Sequence, residues 1–273
     1  MKPPFAYFGG KTRLAEQIVA TFPPHEHYVE PYAGSLAVLL AKPRSRMETV
    51  NDLDGDLMTF WRVLREQPDE LARVCALTPH ARAEFLEAYA LGLEVPDDVE
   101  RARRVWVRLS QSRSGTLRRT GWRHYIDPAG SNTSMPGYLE AYVGRMFPAA
   151  ERLAGVSLEC QPALDIIERY GRSPDVLLYV DPPYLGSTRV SGGYRHEMKG
   201  RDEHRELAAA LADCRASVVL SGYDSPLYAE LYDGWYSTRI DTTTGQGGTR
   251  QERTEVLWRN RAAEPCLFDV EAS

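Results

Sequence analysis

Five consecutive apolar residues, Val176-Leu177-Leu178-Tyr179-Val180, run straight into Asp181-Pro182-Pro183-Tyr184. An unbroken apolar run of this length reads as a parallel strand buried on both faces. The two prolines cannot donate to a sheet ladder or continue into a helix, so the chain must turn sharply where the strand ends. In open α/β sheets that carboxyl edge is where ligands bind. The turn gathers a carboxylate, a proline carbonyl and an aromatic ring at one point. Two acceptors beside a stacking plate suit a planar base that carries an exocyclic amino group. The plain alternative is a surface turn opened by Asp-Pro, and the companion segments argue against it.

The rest of the chain supplies the sheet in which such a strand belongs. Strands are expected at His27–Glu30, Glu48–Asn51, Val156–Glu159, Val176–Val180 and Ser217–Ser221, and helices at Thr12–Phe22, Ser35–Ala41, Leu164–Tyr170, Asp202–Asp213 and Pro226–Tyr232. Their alternation predicts an α/β fold with a mostly parallel sheet and right-handed crossovers. A closing pair, Tyr236–Asp241 and Glu255–Trp258, predicts an antiparallel edge joined by a Gly-rich loop over Thr242–Gly248. Between the second and third strands the pattern is helical from Asp54, with breaks near Pro68 and Pro79 and a new start at Pro96-Asp97-Asp98. Helix resumes over Pro136–Ala154. Residues 1–57 and 151–273 therefore read as one sheet domain, and residues 58–150 as a mainly helical insertion. The Gly- and Ser/Thr-rich stretch Ser114–Ser134 within it reads as a hairpin or long loop.

Two segments near the amino terminus carry ligand chemistry. Tyr7-Phe8-Gly9-Gly10-Lys11-Thr12 ends like a P-loop, but that motif needs a glycine where Phe5 stands. Gly9 and Gly10 instead let backbone approach a ligand beside the aromatic pair Tyr7 and Phe8, and Lys11 at a helix start reaches toward a ligand carboxylate. Val29-Glu30-Pro31-Tyr32-Ala33-Gly34-Ser35 is a strand–turn–helix with an acid at the strand end. Glu30 is placed for an ammonium group, and Gly34 clears space. Asn51-Asp52 closes the next strand, where α/β nucleotide-binding folds hold the acid that chelates ribose hydroxyls. Carboxylates at both strand ends suit S-adenosyl-L-methionine, which has an amino acid and a ribose but no phosphate.

Taken in order, these segments resemble the Dam-type DNA adenine-N6 methyltransferases of the α arrangement: Gly-x-Lys, Glu-Pro-Tyr-Ala-Gly, Asn-Asp, an inserted recognition region, then Asp-Pro-Pro-Tyr. The closing Ser221-Gly222-Tyr223 and Thr254-Glu255-Val256-Leu257-Trp258 extend the resemblance over most of the chain. It implies a Rossmann-like class I methyltransferase sheet with an inserted, mainly helical target-recognition domain, S-adenosyl-L-methionine as methyl donor, and no metal. It implies cofactor contacts at Tyr7, Phe8, Gly9, Gly10, Lys11, Glu30, Tyr32, Gly34, Asp52, Asp165 and Asp181. For Asp165, a first-turn helix acid is an equal reading. It also implies that Asp181, Pro182, Pro183 and Tyr184 hold a flipped-out adenine by its amino group, localising the nitrogen lone pair for methyl transfer. Leu36 departs from the pattern, since many members have a second glycine there, and it is expected to tighten the methionine pocket. The Gly-rich stretch Leu185–Lys199 is expected to form a loop that closes over the base.

Charge and composition set the partners. Net charge is −5 over 273 residues, yet Arg101–Ile126 holds eight arginines and no acid. A basic module on an acidic body predicts one surface that meets the phosphates of double-stranded DNA. Arg113, Arg118, Arg119, Trp122 and Arg123 are the expected DNA contacts. A solvated arginine-rich helix face accounts for 101–108 but not for the glycine-rich continuation. No signal peptide or membrane span is read, and Cys75, Cys160, Cys214 and Cys266 lie far apart without metal-ligand spacing. Buried free thiols in a reducing cytoplasm are expected. An N4-cytosine DNA methyltransferase is the nearest rival, and a DNA-binding relative without catalysis is the rival from another class. A restriction endonuclease partner cannot be read from the chain.

Overall fold

The computed structural model describes residues 1–90, 97–126, 130, 133–185, 195, 198, 200–246 and 249–262, with 242–253 described by backbone alone. Seven strands form one sheet: β1 (His27–Glu30), β2 (Met47–Asn51), β3 (Val156–Glu159), β4 (Val176–Val180), β5 (Ser217–Tyr223), β6 (Tyr236–Gln246) and β7 (Thr249–Arg259). Their spatial order is β3-β2-β1-β4-β5-β7-β6. The first five are parallel, and β7 is antiparallel to both neighbours. This is the Rossmann-like order with an antiparallel strand slipped in before the last. The order of the strands reverses between β1 and β4, so a crevice opens there at the carboxyl edge.

The apolar run of β4 is buried throughout. Successive side chains point to opposite faces. Leu177 and Tyr179 accordingly join one core with Phe5, Leu36, Phe60, Trp61 and Trp106, while Val176, Leu178 and Val180 join another with Ile166, Leu207, Leu220 and Tyr228. Helices α1 (Ala15–Val19) and α2 (Ala37–Ala41) lie near the amino terminus. Between β2 and β3 come α3 (Gly55–Glu66), α4 (Pro68–Leu77), α5 (Arg82–Glu87), α6 (Asp98–Gln111), α7 (Met135–Val143) and α8 (Met146–Leu153). The second half supplies α9 (Ala163–Tyr170), α10 (Arg201–Ala212) and α11 (Pro226–Leu231). Local chemistry sets several starts. Asp54 caps α3, Asp97 caps α6 and Ser225 caps α11 through their side-chain oxygens. Proline opens α4 and α11. In α6 the buried Val99, Ala102, Val105, Trp106 and Leu109 recur at helical spacing and turn one stripe to the core.

Three expectations change. Helix α1 is five residues long, because Leu14 N–H closes a tight turn on the Lys11 carbonyl at 2.9 Å before it begins. Lys11 therefore precedes the helix instead of starting it. Strands β6 and β7 stay paired out to Gln246↔Thr249, so most of the expected Gly-rich loop is strand. The run Thr242-Thr243-Thr244 has the β-branched character that favours this. The thiols differ too: Cys75 is buried, Cys214 half-buried and Cys160 exposed. The remaining loop positions 247–248, Cys266 and the stretch 186–194 lie outside the described residues. No helix among the described residues is long and apolar enough to cross a membrane.

Candidate active site

A cavity of about 290 Å³ opens at the carboxyl ends of β1, β2 and β4. Each wall has a local cause. Asn51, fully buried, donates to the Pro31 and Gln161 carbonyls and accepts from Gln161 N–H, pinning the ends of three strands together. Asp52 beside it accepts from Gly34 N–H and Asp54 N–H, both at 2.9 Å. Gly34 sits at φ 48°, and a Cβ there would lie 2.9 Å from the Tyr7 ring, so both backbone shape and space demand glycine. Trp61 of α3 donates to the Gly34 carbonyl at 3.1 Å and holds the turn from behind.

Of the expected cofactor residues, Tyr7, Phe8, Gly9, Gly10, Lys11, Glu30, Tyr32, Gly34, Asp52 and Asp181 line this one cavity, together with Pro183. Asp165 does not. It is exposed in the first turn of α9, while Pro162, Ala163 and Leu164 form the wall. Leu36 does not line it either, which corrects the expected tightening of the pocket. Leu36 is fully buried in the core at φ 55°, the left-handed backbone that glycine adopts freely. Residues the sequence did not single out also line the cavity, among them Asp54, Tyr179, Arg195 and Glu203.

The electrostatics centre on Lys11. Its ammonium is 2.7 Å from both Asp181 oxygens, 3.2 Å from the Gly9 carbonyl, 3.7 Å from Glu255 and 4.8 Å from the centre of the Tyr184 ring. Burial pushes the Asp181 carboxyl up, Lys11 pulls it down and Glu255 adds to the rise. Glu30 is buried and accepts from the Tyr28 hydroxyl at 3.0 Å. Its pKa is pushed up to about 8, by burial first, with Asp181 adding to the rise and the Tyr28 bond opposing it. Tyr184 is almost wholly buried, with its ring edge-on to Tyr223 at 4.6 Å. Neither Tyr184 nor the buried Pro182 lines the cavity.

The donor set fits S-adenosyl-L-methionine. Acids stand at two strand ends, and apolar Pro31, Ala33, Val38, Leu53 and Leu164 lie between. Among the described residues, both cations of the wall already face acids, Lys11 on Asp181 and Arg195 on Asp54 and Asp56. A phosphate would find only neutralised cations there, whereas a cationic amino acid finds carboxylates.

The arginine-rich segment divides in two. Asp56 meets Arg101 and Arg108, Glu100 and Glu84 meet Arg103, and Glu100 and Glu87 meet Arg104. Acids of α3 and α5, with Glu100 of α6 itself, thus neutralise the part on α6. Beyond it, Arg113 N–H bonds the Gly121 carbonyl and Arg123 N–H the Gln111 carbonyl, folding 111–123 back on itself. Arg113, Arg118 and Arg119 are exposed on this loop and pair with no acid among the described residues. Trp122 stacks on His80 at 4.3 Å with Arg82 over its ring, and Arg123 covers the Tyr138 ring. Phe8 N–H bonds the Gly115 carbonyl at 2.8 Å, joining this loop to the cavity's aromatic lip.

Residues 7–244 match the model of the D12 class N6 adenine-specific DNA methyltransferases. The chain belongs to this family. It is an adenine-N6-specific DNA methyltransferase whose methyl donor is S-adenosyl-L-methionine and whose substrate is DNA. It is 26% identical over 279 residues to a type II methyltransferase, M1.LlaDCHI, of Lactococcus lactis subsp. cremoris, covering 95% of each chain. It is 24% identical over 260 residues to the DNA adenine methylase of Salmonella typhimurium, covering 91% of each. The DNA N-6-adenine-methyltransferase of Escherichia phage P1 is 25% identical over 254 residues, which span 84% of this chain and 30% of that protein. The family selects adenine over the N4-cytosine alternative.

Proposed function

We propose that this methyltransferase holds a target adenine, flipped out of duplex DNA, by its amino group at Asp181 and the Pro182 carbonyl, with Tyr184 as its aromatic support. The observation that carries the reading is Asp181 itself, set at the carboxyl end of the central buried strand, lining the cavity and ion-paired to Lys11. A carboxylate and a carbonyl accept both amino hydrogens, which localises the nitrogen lone pair without a covalent intermediate. Lys11 keeps Asp181 ionised against its burial. S-adenosyl-L-methionine bound in the cavity supplies a methyl group activated by its sulfonium. Glu30 faces its ammonium group, Asp52 its ribose, and Tyr7 with the Phe8–Gly10 backbone closes one side.

The helical insertion then acts as the target-recognition domain, with the exposed Arg113, Arg118 and Arg119 meeting DNA and Trp122 and Arg123 framing their loop. The enzyme works in the cytoplasm on the nucleoid, alone or beside a restriction endonuclease.

The test is mass spectrometry of nucleosides from the DNA of cells that express the protein. N6-methyladenine is expected with the wild type and none with Asp181→Ala, which should still unfold cooperatively. Methylation by Asp181→Ala, or N4-methylcytosine in its place, overturns the reading.

A further inference from the structure

Glu255 is a buried acid beside the site to which no motif assigned a role. It lies on β7 opposite Tyr223 of β5, 3% exposed. Its Oε1 accepts from Ser221 Oγ at 2.5 Å and from the Tyr184 hydroxyl. The same hydroxyl lies 2.9 Å from Asp181 Oδ1. Two carboxylates, Asp181 and Glu255, thus share one phenol proton and one ammonium, that of Lys11. A phenol has a single proton to donate. When Glu255 takes it, an Asp181 oxygen keeps a lone pair for something else. Burying a second acid here is costly and adds nothing that an apolar residue at the β5–β7 contact would not supply. Its neighbours Val256, Leu257 and Trp258 are such residues.

We propose that Glu255 is a positioning residue for methyl transfer: it takes the Tyr184 hydroxyl and draws on the Lys11 ammonium, which fixes the Tyr184 ring and leaves an Asp181 oxygen open to the target amino group. The inference rests on the role of Asp181 proposed above. Asp181 is faced by Lys11 from the amino-terminal segment, Glu30 from β1, Tyr179 from β4, Tyr184, and Glu255 from β7. Among these, Glu255 contributes a negative charge that opposes Asp181 ionisation. Removing that charge should make Asp181 easier to ionise.

Four readouts separate positioning from mere packing. Glu255→Ala should lower kcat by about tenfold or more while the Kd values for methyl donor and DNA stay within about twofold. In a Tyr184→Phe background the same substitution should cost less than about threefold, since the bond it removes is already gone. Glu255→Gln should move the acid limb of the kcat–pH profile to lower pH. With 2-aminopurine at the target position, the Glu255→Ala complex should fluoresce more strongly than wild type, because the extruded base stacks less firmly. A wild-type kcat in Glu255→Ala, a full-sized loss in the Tyr184→Phe background, or an unmoved acid limb in Glu255→Gln overturns the inference. If Glu255→Ala does not fold, the isosteric Glu255→Gln profile and its 2-aminopurine signal decide. Failure of the underlying reading would look different: Asp181→Ala would remain active, whatever Glu255 does.

Discussion

Single residues here carry opposing demands. Burial pushes the Glu30 carboxyl up to about 8, and in the reading proposed above it faces the ammonium group of the methyl donor. An arriving cation favours the ionised form, and methyl-donor binding should therefore release a proton below about pH 8. Calorimetry in two buffers of different ionisation enthalpy should show that release in wild type and not in Glu30→Gln. The sign for stability is the reverse. A raised carboxyl stabilises the fold fully below pH 4.5 and loses that contribution as pH rises toward 8, so Glu30→Gln should flatten this limb of the stability profile. Leu36 shows the same kind of balance. Its left-handed backbone costs roughly 1–3 kcal/mol, but deleting a buried leucine side chain costs roughly 2–5 kcal/mol. Burial wins, so Leu36→Gly should lower unfolding free energy by about 1–3 kcal/mol in urea titrations, with methyl-donor affinity unchanged because Leu36 does not line the cavity.

At the scale of elements, the 111–123 loop carries arginines that pair with no acid among the described residues. Helix α6 has given its arginines to Asp56, Glu84, Glu87 and Glu100, whereas Arg118 and Arg119 remain exposed. Replacing an arginine that touches phosphate should weaken all sequences alike and reduce the salt slope of binding by about one. Replacing one that reads a base should cost roughly 1–3 kcal/mol at one base position. Arg118→Ala and Arg119→Ala, titrated with DNA at several salt concentrations, should each fall into one of these classes. Arg103→Ala should leave the salt slope unchanged, since that guanidinium already holds Glu84 and Glu100. Unchanged isotherms for both loop variants would remove Arg118 and Arg119 from the DNA surface. The loop's tie to the cavity is steric as well as hydrogen-bonded: Gly115 at φ 59° leaves only 2.9 Å between an added Cβ and the Ala6 carbonyl oxygen.

At the scale of the whole molecule, one face of the sheet shares its core with the helices between β2 and β3. Phe5, Trp61, Trp106, Leu139, Leu153 and Tyr179 belong to a single buried cluster. Glu48 of β2 fastens the two parts electrostatically, holding Arg152 of α8 at 2.5 and 2.8 Å and Lys42 at 2.8 Å. Burial alone would raise the Glu48 carboxyl, but its bonds to Arg152, Lys42 and Ser45 N–H bring it down to about 2. This contribution is present above pH 4.5 and is lost as pH falls through 2. Glu48→Gln leaves two buried cations short of a partner and should cost roughly 3–5 kcal/mol. Unfolding followed by fluorescence and by circular dichroism should give coincident transitions, shifted together in the variant.

The amino-acid sequence by itself determined the strands and where the chemistry sits along them. Val176–Val180 and His27–Glu30 are strands at the expected bounds, and the acids behind them fall at one sheet edge. Apolar runs and the Pro and Gly residues that stop them act within a few neighbours, so they are legible locally. Tertiary structure alone decided which charges meet. Lys11 turned to Asp181, 170 positions away, and Glu255 reached Tyr184 across 71. Helix α6 met acids from α3 and α5, whereas the loop arginines met none among the described residues. Such pairings have no period in the sequence, because they follow from how strands and helices are stacked and not from the spacing within any one of them.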